Sequence, residues 1–138
     1  MIEQGLQQEI NMVMTEARNR RLEFVTVEHL LLALLNMDEV IAFLRGKRVN
    51  IDEIRAELDQ YIDSHTPIIS EDAEIDIVPT VGFQRVLQRS VYQAQSAQKN
   101  SVNAMNVFVS IFSEKESHAV YMLKLNNISR LDVMEGIS

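Results

Sequence analysis

Apolar side chains recur along this chain at helical spacing, and the pattern is written twice. Leu6, Ile10, Val13, Met14 and Ala17 mark one face of an amphipathic helix, and Phe83, Val86, Leu87, Val91 and Ala94 repeat that face. The spacing predicts equivalent helices over 6–24 and 83–101. Thr26 and Asn103 each precede a denser apolar run and read as N-caps of short buried helices. In those runs Val27, Leu30, Leu31, Leu34 and Leu35 are matched by Ala104, Val107, Phe108, Ile111 and Phe112, the expected centre of the core. The offset is 77, as in 84 minus 7 for Gln7 and Gln84 or 102 minus 25 for Val25 and Val102. After two added residues it becomes 79, which is 128 minus 49 for Val49 and Ile128.

A third pair of helices, over 38–45 and 116–125, aligns Val40, Ile41, Phe43 and Leu44 on Ala119, Val120, Met122 and Leu123. Gly46 and the Asn126-Asn127 pair supply its stop signals. A fourth pair opens at Asn50 and Ser129, each three residues before an acid, Glu53 and Asp132, as in a capping box. The fold class that follows is all-α, an eight-helix module of two four-helix repeats related by a pseudo-two-fold. Repeat one takes residues 1–63, a linker 64–79 and repeat two 80–138. The linker holds both prolines, Pro67 and Pro79, and four acids, Glu71, Asp72, Glu74 and Asp76. It is expected to run extended and to pack partly on the bundle through Ile68, Ile69, Ile75, Ile77 and Val78.

With 138 residues and 46% hydrophobic content the chain suits one domain or two tightly packed halves. The absence of cysteine removes disulfides, thiolate zinc sites and cysteine nucleophiles. A net charge of −7, from 13 basic and 20 acidic side chains, argues against a nucleic-acid partner, whose phosphates demand a basic face. The basic cluster Arg18, Arg20 and Arg21 reads as solvated cations at the end of the first helix. Residues 1–11 carry Glu3 and Glu9 without a basic start or apolar segment, and the apolar run 30–35 is too short to span a bilayer. A soluble, cytoplasmic protein with no membrane partner is expected.

Candidate chemistry is sparse. The four glycines, Gly5, Gly46, Gly82 and Gly136, are too dispersed for a phosphate cradle, so no nucleotide binding is expected. His29, His65 and His118 are scattered; His29 beside Glu28 or Glu23 is the one metal arrangement that can be drawn, and isolated surface histidines near carboxylates are commoner. No Gly-x-Ser-x-Gly elbow occurs, and the acids Glu71 and Asp72 lie in a hydrated segment, which makes catalysis the weakest class. Met12, Met14, Met105 and Met122 fall at apolar spacings and are assigned to the core.

The segment Glu23-Phe24-Val25-Thr26-Val27-Glu28-His29-Leu30-Leu31-Leu32-Ala33-Leu34-Leu35 resembles the T-x-E-H-L-L-L-A-L-L signature of the Clp N-terminal domain family. Residues 83–89, 112–117 and 129–133 are similar to the ClpA-type branch of that family. The resemblance implies a non-catalytic double repeat that serves as a recognition platform for a hexameric, ATP-dependent AAA+ unfoldase feeding the ClpP peptidase. ATP and magnesium would belong to downstream modules, with no cofactor here. It further implies docking of the adaptor ClpS and contact with protein substrates, on a face similar to one formed here by Glu23, Glu28, Thr80 and Arg85. Leu22 stands where a metal-binding histidine would be, and no metal is expected. The alternative is a stand-alone helical protein whose groove between repeats takes a peptide or small apolar ligand.

Overall fold

The computed structural model describes residues 1–74 and 76–137. Along them run α1 (Gln4–Asn19), β1 (Phe24–Val25), α2 (Val27–Leu34), α3 (Asp38–Gly46) and α4 (Ile51–His65), then β2 (Val78–Pro79), α5 (Val81–Ser96), α6 (Ala104–Ile111), α7 (His118–Leu125) and α8 (Arg130–Ile137). The eight helices fall in the same order in both halves, as the repeat requires.

Helix ends show the duplication most sharply. Arg21, Arg48, Gln98 and Asn127 are the described non-glycine residues with positive φ, and they form repeat pairs: 98 minus 21 is 77, and 127 minus 48 is 79. Each follows a helix whose third-last carbonyl accepts the next residue's N–H, in Leu22 to Ala17, Val49 to Leu44, Lys99 to Ala94 and Ile128 to Leu123, at 2.9–3.0 Å. These are four Schellman stops. They correct two expectations. The long helices end at Asn19 and Ser96 rather than at Phe24 and Ser101, because the chain turns left-handed two residues later. Gly46 is still helical, and the turn after α3 is made by Arg48.

The expected caps are present at the short helices. Asn103 Oδ1 accepts from Asn106 N at 2.9 Å while Asn106 Oδ1 accepts from Asn103 N at 3.1 Å. Thr26 and His29 hold the equivalent places, with Thr26 N donating to His29 Nδ1 at 2.9 Å. Ser129 and Asp132 close a full capping box, whereas Asn50 only accepts from Glu53 N.

The segments between helices are extended enough to pair, so the fold also contains a small parallel ladder, Phe24 with Val78 and Val25 with Pro79. A bridge joins Ile2 to Val102 in parallel. Since 79 minus 2 and 102 minus 25 are both 77, the bridge is the repeat mate of the Val25–Pro79 pair. Thr80 N donates to Val25 O and Glu3 N to Val102 O, both at 2.9 Å. The segment leading each half thus pairs with the inter-helix segment of the other, a reciprocal exchange that a two-fold demands.

Around that axis pack α2 and α6, which also touch each other. Leu31, Leu34, Leu35, Val107, Phe108 and Ile111 are fully buried, and Phe108 meets Phe43 edge-on at 6.0 Å. Met105 and Met122 are buried as expected, but Met12 is 64% exposed. Across the halves, α4 meets α7 through Tyr61, whose ring stacks on His118 at 3.9 Å and on His65 at 4.0 Å.

The linker is more tightly held than its composition suggests. Glu23 N donates to Pro67 O, Ile69 N to Arg21 O and Val78 N to Glu23 O, so residues 21–25 are flanked on both sides by linker backbone. The arginine cluster, expected to be solvated, fastens this arrangement. Arg18 pairs with Asp76 at 2.9 Å, Arg21 donates to the carbonyls of Ile69 and Ser70, and Arg20 pairs with Asp63 of α4. Of the linker's apolar residues Ile77 is buried, Ile69 half-buried, and Ile68 and Val78 exposed; Ile75 lies outside the described residues.

Candidate functional site

The ladder and the starts of α2 and α5 bring the backbones of Glu23, Glu28, Thr80 and Arg85 to one region, but their side chains do different things. Glu23 is half-buried in the strand turn with its carboxylate uncommitted among the described residues. Thr80 caps α5, its Oγ1 accepting from Phe83 N at 3.2 Å. Gly82 lets α5 come close: a Cβ there would stand 3.0 Å from Val27 Cγ2 and 3.1 Å from Glu114 Oε1.

Arg85 forms a bidentate pair with Glu114, at 2.6 and 3.2 Å. Arg89 adds a contact to the same carboxylate at 3.4 Å and donates to Ser110 O at 3.1 Å. The hydrogen bond from Arg85 holds the Glu114 carboxyl below its ordinary pKa, with the charges of Arg85 and Arg89 acting in the same direction. Glu114 and Arg89 were not singled out in the sequence, although their spacing from Arg85 to Arg89 at i, i+4 places both guanidiniums on one helix face. Val78 and Val81, 46% and 65% exposed, lie on the same strand and helix start.

Glu28 departs from the expected surface position. It is buried in the first turn of α2, and its Oε2 accepts from Ala119 N at 3.0 Å. Ala119 is at the N-terminus of α7, where Ser117 Oγ takes the neighbouring N–H of Val120. Repeat one therefore supplies an anion to a helix terminus of repeat two, favourable for both the orphan N–H and the helix dipole.

The sequence profile of the Clp repeat (R) N-terminal domain matches residues 1–126. A ClpA homolog protein of Fuscovulum blasticum is 34% identical over 134 residues, which is 96% of this chain. The chain belongs to the Clp repeat N-terminal domain family. It spans 17% of the length of that relative. The fold is that of solved Clp-type N-domains. The Hsp104 N-terminal domain from Candida albicans superposes with a TM-score of 0.81 at 12% identity, covering 98% of this chain and 87% of its own. A ClpV N-domain in complex with a VipB peptide gives 0.72 at 16% identity, covering 96% and 81%.

In this Clp repeat domain the histidine of the T-x-E-H stretch is a capping residue. Because Nδ1 of His29 accepts the Thr26 N–H, the neutral ring carries its proton on Nε2. The ring is 3% exposed, and Nε2 is the buried side-chain polar atom without a partner among the described residues. Burial, aided by the Arg20 charge, lowers the pKa from 6.5 to about 4. No described helix is long and apolar enough to cross a membrane.

A pH dependence of stability follows. The folded state favours neutral His29 and the unfolded chain protonates it near 6.5, so this contribution is complete above pH 6.5 and is lost as pH falls toward 4. A shift of that size corresponds to about 3 kcal/mol. Urea unfolding between pH 7 and 4 is expected to show the loss in the parent chain and a shallower decline in His29→Asn, which copies the cap at Asn106. Parallel profiles would refute the assignment.

Proposed function

We propose that this domain is the recognition platform of a ClpA-type AAA+ unfoldase, docking the adaptor ClpS and protein substrates, with ATP and magnesium confined to other modules of a cytoplasmic, ClpP-associated hexamer. The observation that carries the reading is the surface around the ladder. There the exposed Val78 and Val81 share the ladder and the start of α5 with Glu23, whose carbonyl takes the Val78 N–H, and with the Arg85–Glu114 pair. Apolar centres rimmed by oriented charge are suited to a protein partner. The ClpV N-domain bound to a VipB peptide gives a precedent for peptide recognition on this fold. Glu28 contributes from beneath, by fixing α7 against α2, rather than by touching the partner.

Arg85→Glu places a carboxylate beside Glu114, which Arg89 still holds, and presents the wrong charge to the partner. Calorimetric titration with ClpS is expected to show a loss of about 2 kcal/mol, roughly 30-fold in affinity, with unchanged circular dichroism. Glu23→Lys is expected to act in the same direction. Unchanged affinity in both folded variants would place adaptor docking elsewhere.

A further inference from the structure

A crevice of about 530 Å3 opens between the end of α6 and the turn from α7 to α8, with Phe112 and Ile128 as its apolar lining and Lys115, Lys124 and Arg130 as its charged one. Arg130 also lines a second hollow of about 310 Å3, together with Lys99, Val109, Met134 and Ile137. The four cations are exposed and have no ion-pair partner among the described residues, and no described carboxylate lines either space. We propose that this face docks an acidic segment of a partner protein, which sets carboxylates against the four cations and apolar side chains into the two recesses.

The chain carries a net charge of −7, yet its own acids leave this face unanswered. Both oxygens of Glu114 are held by Arg85 and Arg89, Asp132 is taken by Ser129 and Lys47, and Glu116 lines the crevice beside Arg85 instead. A ligand must therefore bring negative charge, and the apolar lining requires that it bring apolar surface as well. A nucleic acid has no apolar side chain to offer, is repelled by the remaining acidic surface, and finds no stacking platform, since the aromatic ring of the lining, Phe112, is buried. A bilayer is flat and does not enter a recess. A small anion would fill one recess and leave the cations of the other unanswered, whereas a peptide carries both kinds of group along one chain and passes from one recess to the next at Arg130.

The repeat supplies an internal comparison. Leu35, Arg45, Val49 and Ile51 line the equivalent crevice of the first half where the second has Phe112, Lys124, Ile128 and Arg130, 112 minus 35 being 77 and 124 minus 45, 128 minus 49 and 130 minus 51 being 79. That crevice is about 270 Å3, Asp52 lines it, and its Arg55 is engaged by Asn36 and the Leu35 carbonyl. The mate of the second hollow likewise holds acids, Glu16 and Asp59. Shape thus comes from the duplicated fold, whereas cations without carboxylates are particular to the second copy. The face shares Lys115 with the crevice beside the Arg85–Glu114 pair and is otherwise separate from it, so it is a second docking surface and does not rest on the adaptor reading.

The test uses three fluorescein-labelled peptides on the 138-residue chain: DELDELDE, NQLNQLNQ, which keeps the leucines without the charge, and DESDESDE, which keeps the charge without the leucines. Fluorescence anisotropy at pH 7 is expected to show saturable binding of DELDELDE, with the other two at least tenfold weaker. Lys124→Glu and Arg130→Glu are each expected to weaken DELDELDE at least fivefold with unchanged circular dichroism, because both side chains are exposed. Arg45→Glu makes the same change of charge in the mate crevice and Arg85→Glu makes it on the ladder face, and both are expected to stay within twofold of the parent. No saturable binding, equal affinity for DELDELDE and DESDESDE, or a loss in Arg45→Glu or Arg85→Glu as large as that in Lys124→Glu would overturn the proposal. So would co-sedimentation with phosphatidylserine vesicles that Lys124→Glu abolishes, which would reassign the face to a membrane.

Discussion

Truncating Phe108 to alanine is expected to destabilise the domain by about 4 kcal/mol, and Leu31→Ala by about 3 kcal/mol. Both side chains are fully buried on the two helices that flank the pseudo-two-fold axis. Phe108 also loses edge and tilted contacts with Phe43 and Phe112, whose rings lie 6.0 and 5.9 Å away. Phe43 lies on α3 and Phe112 at the C-terminal end of α6 itself, and both are packed against the core, so little collapse into the cavity is available. Arg20→Ala provides the contrast, since its pair with Asp63 is largely exposed and is expected to cost less than about 1 kcal/mol. Urea unfolding at pH 7 would check all three. Equal midpoints for Phe108→Ala and Arg20→Ala would remove the assigned core.

The fold was legible because duplication makes a weak signal redundant. Each apolar stripe had a counterpart at a fixed offset, and the buried face of α2 predicted that of α6 residue by residue. What stayed hidden has a local cause. A Schellman stop needs a left-handed residue, and glycine is the usual sequence sign of one, yet Arg21, Arg48 and Gln98 fill three of the four here. The apolar pattern alone therefore carries α1 and α5 five residues past their ends at Asn19 and Ser96. The ladder was hidden because two-residue strands have no period to read.

The candidate site was legible by position and not by orientation. Thr80 and Arg85 could be placed at a helix start because Pro79 precedes them, and the structure puts them there. The inward turn of Glu28 depends on Ala119, 91 residues away, a contact that no local pattern announces. The same holds for the Tyr61 stack, whose histidines, His65 and His118, come from opposite halves. The linker likewise looked like an acidic, solvated stretch until Arg18 met Asp76 across 58 positions. Charged residues report helix solvation well and tertiary pairing poorly.

Glu28→Lys is expected to destabilise the domain by about 4 kcal/mol. The carboxylate is 6% exposed and answers the Ala119 N–H, so lysine removes a charge-assisted hydrogen bond and places a cation at the positive end of α7. Glu28→Gln keeps an acceptor oxygen of nearly the same length and is expected to cost about 1 kcal/mol. The repeat again explains why the demand is one-sided, because the position equivalent to Glu28 is Met105, 105 minus 28 being 77, and it is buried as an apolar residue. Loss of the anchor frees α7, so the Tyr61–His118 stack 3.9 Å apart should loosen with it. Urea unfolding gives the energies, and tyrosine and histidine aromatic NMR shifts report the seam. Were Glu28→Lys as stable as Glu28→Gln, with the Tyr61 and His118 resonances unmoved, the buried carboxylate would not be what fastens the second half to the first.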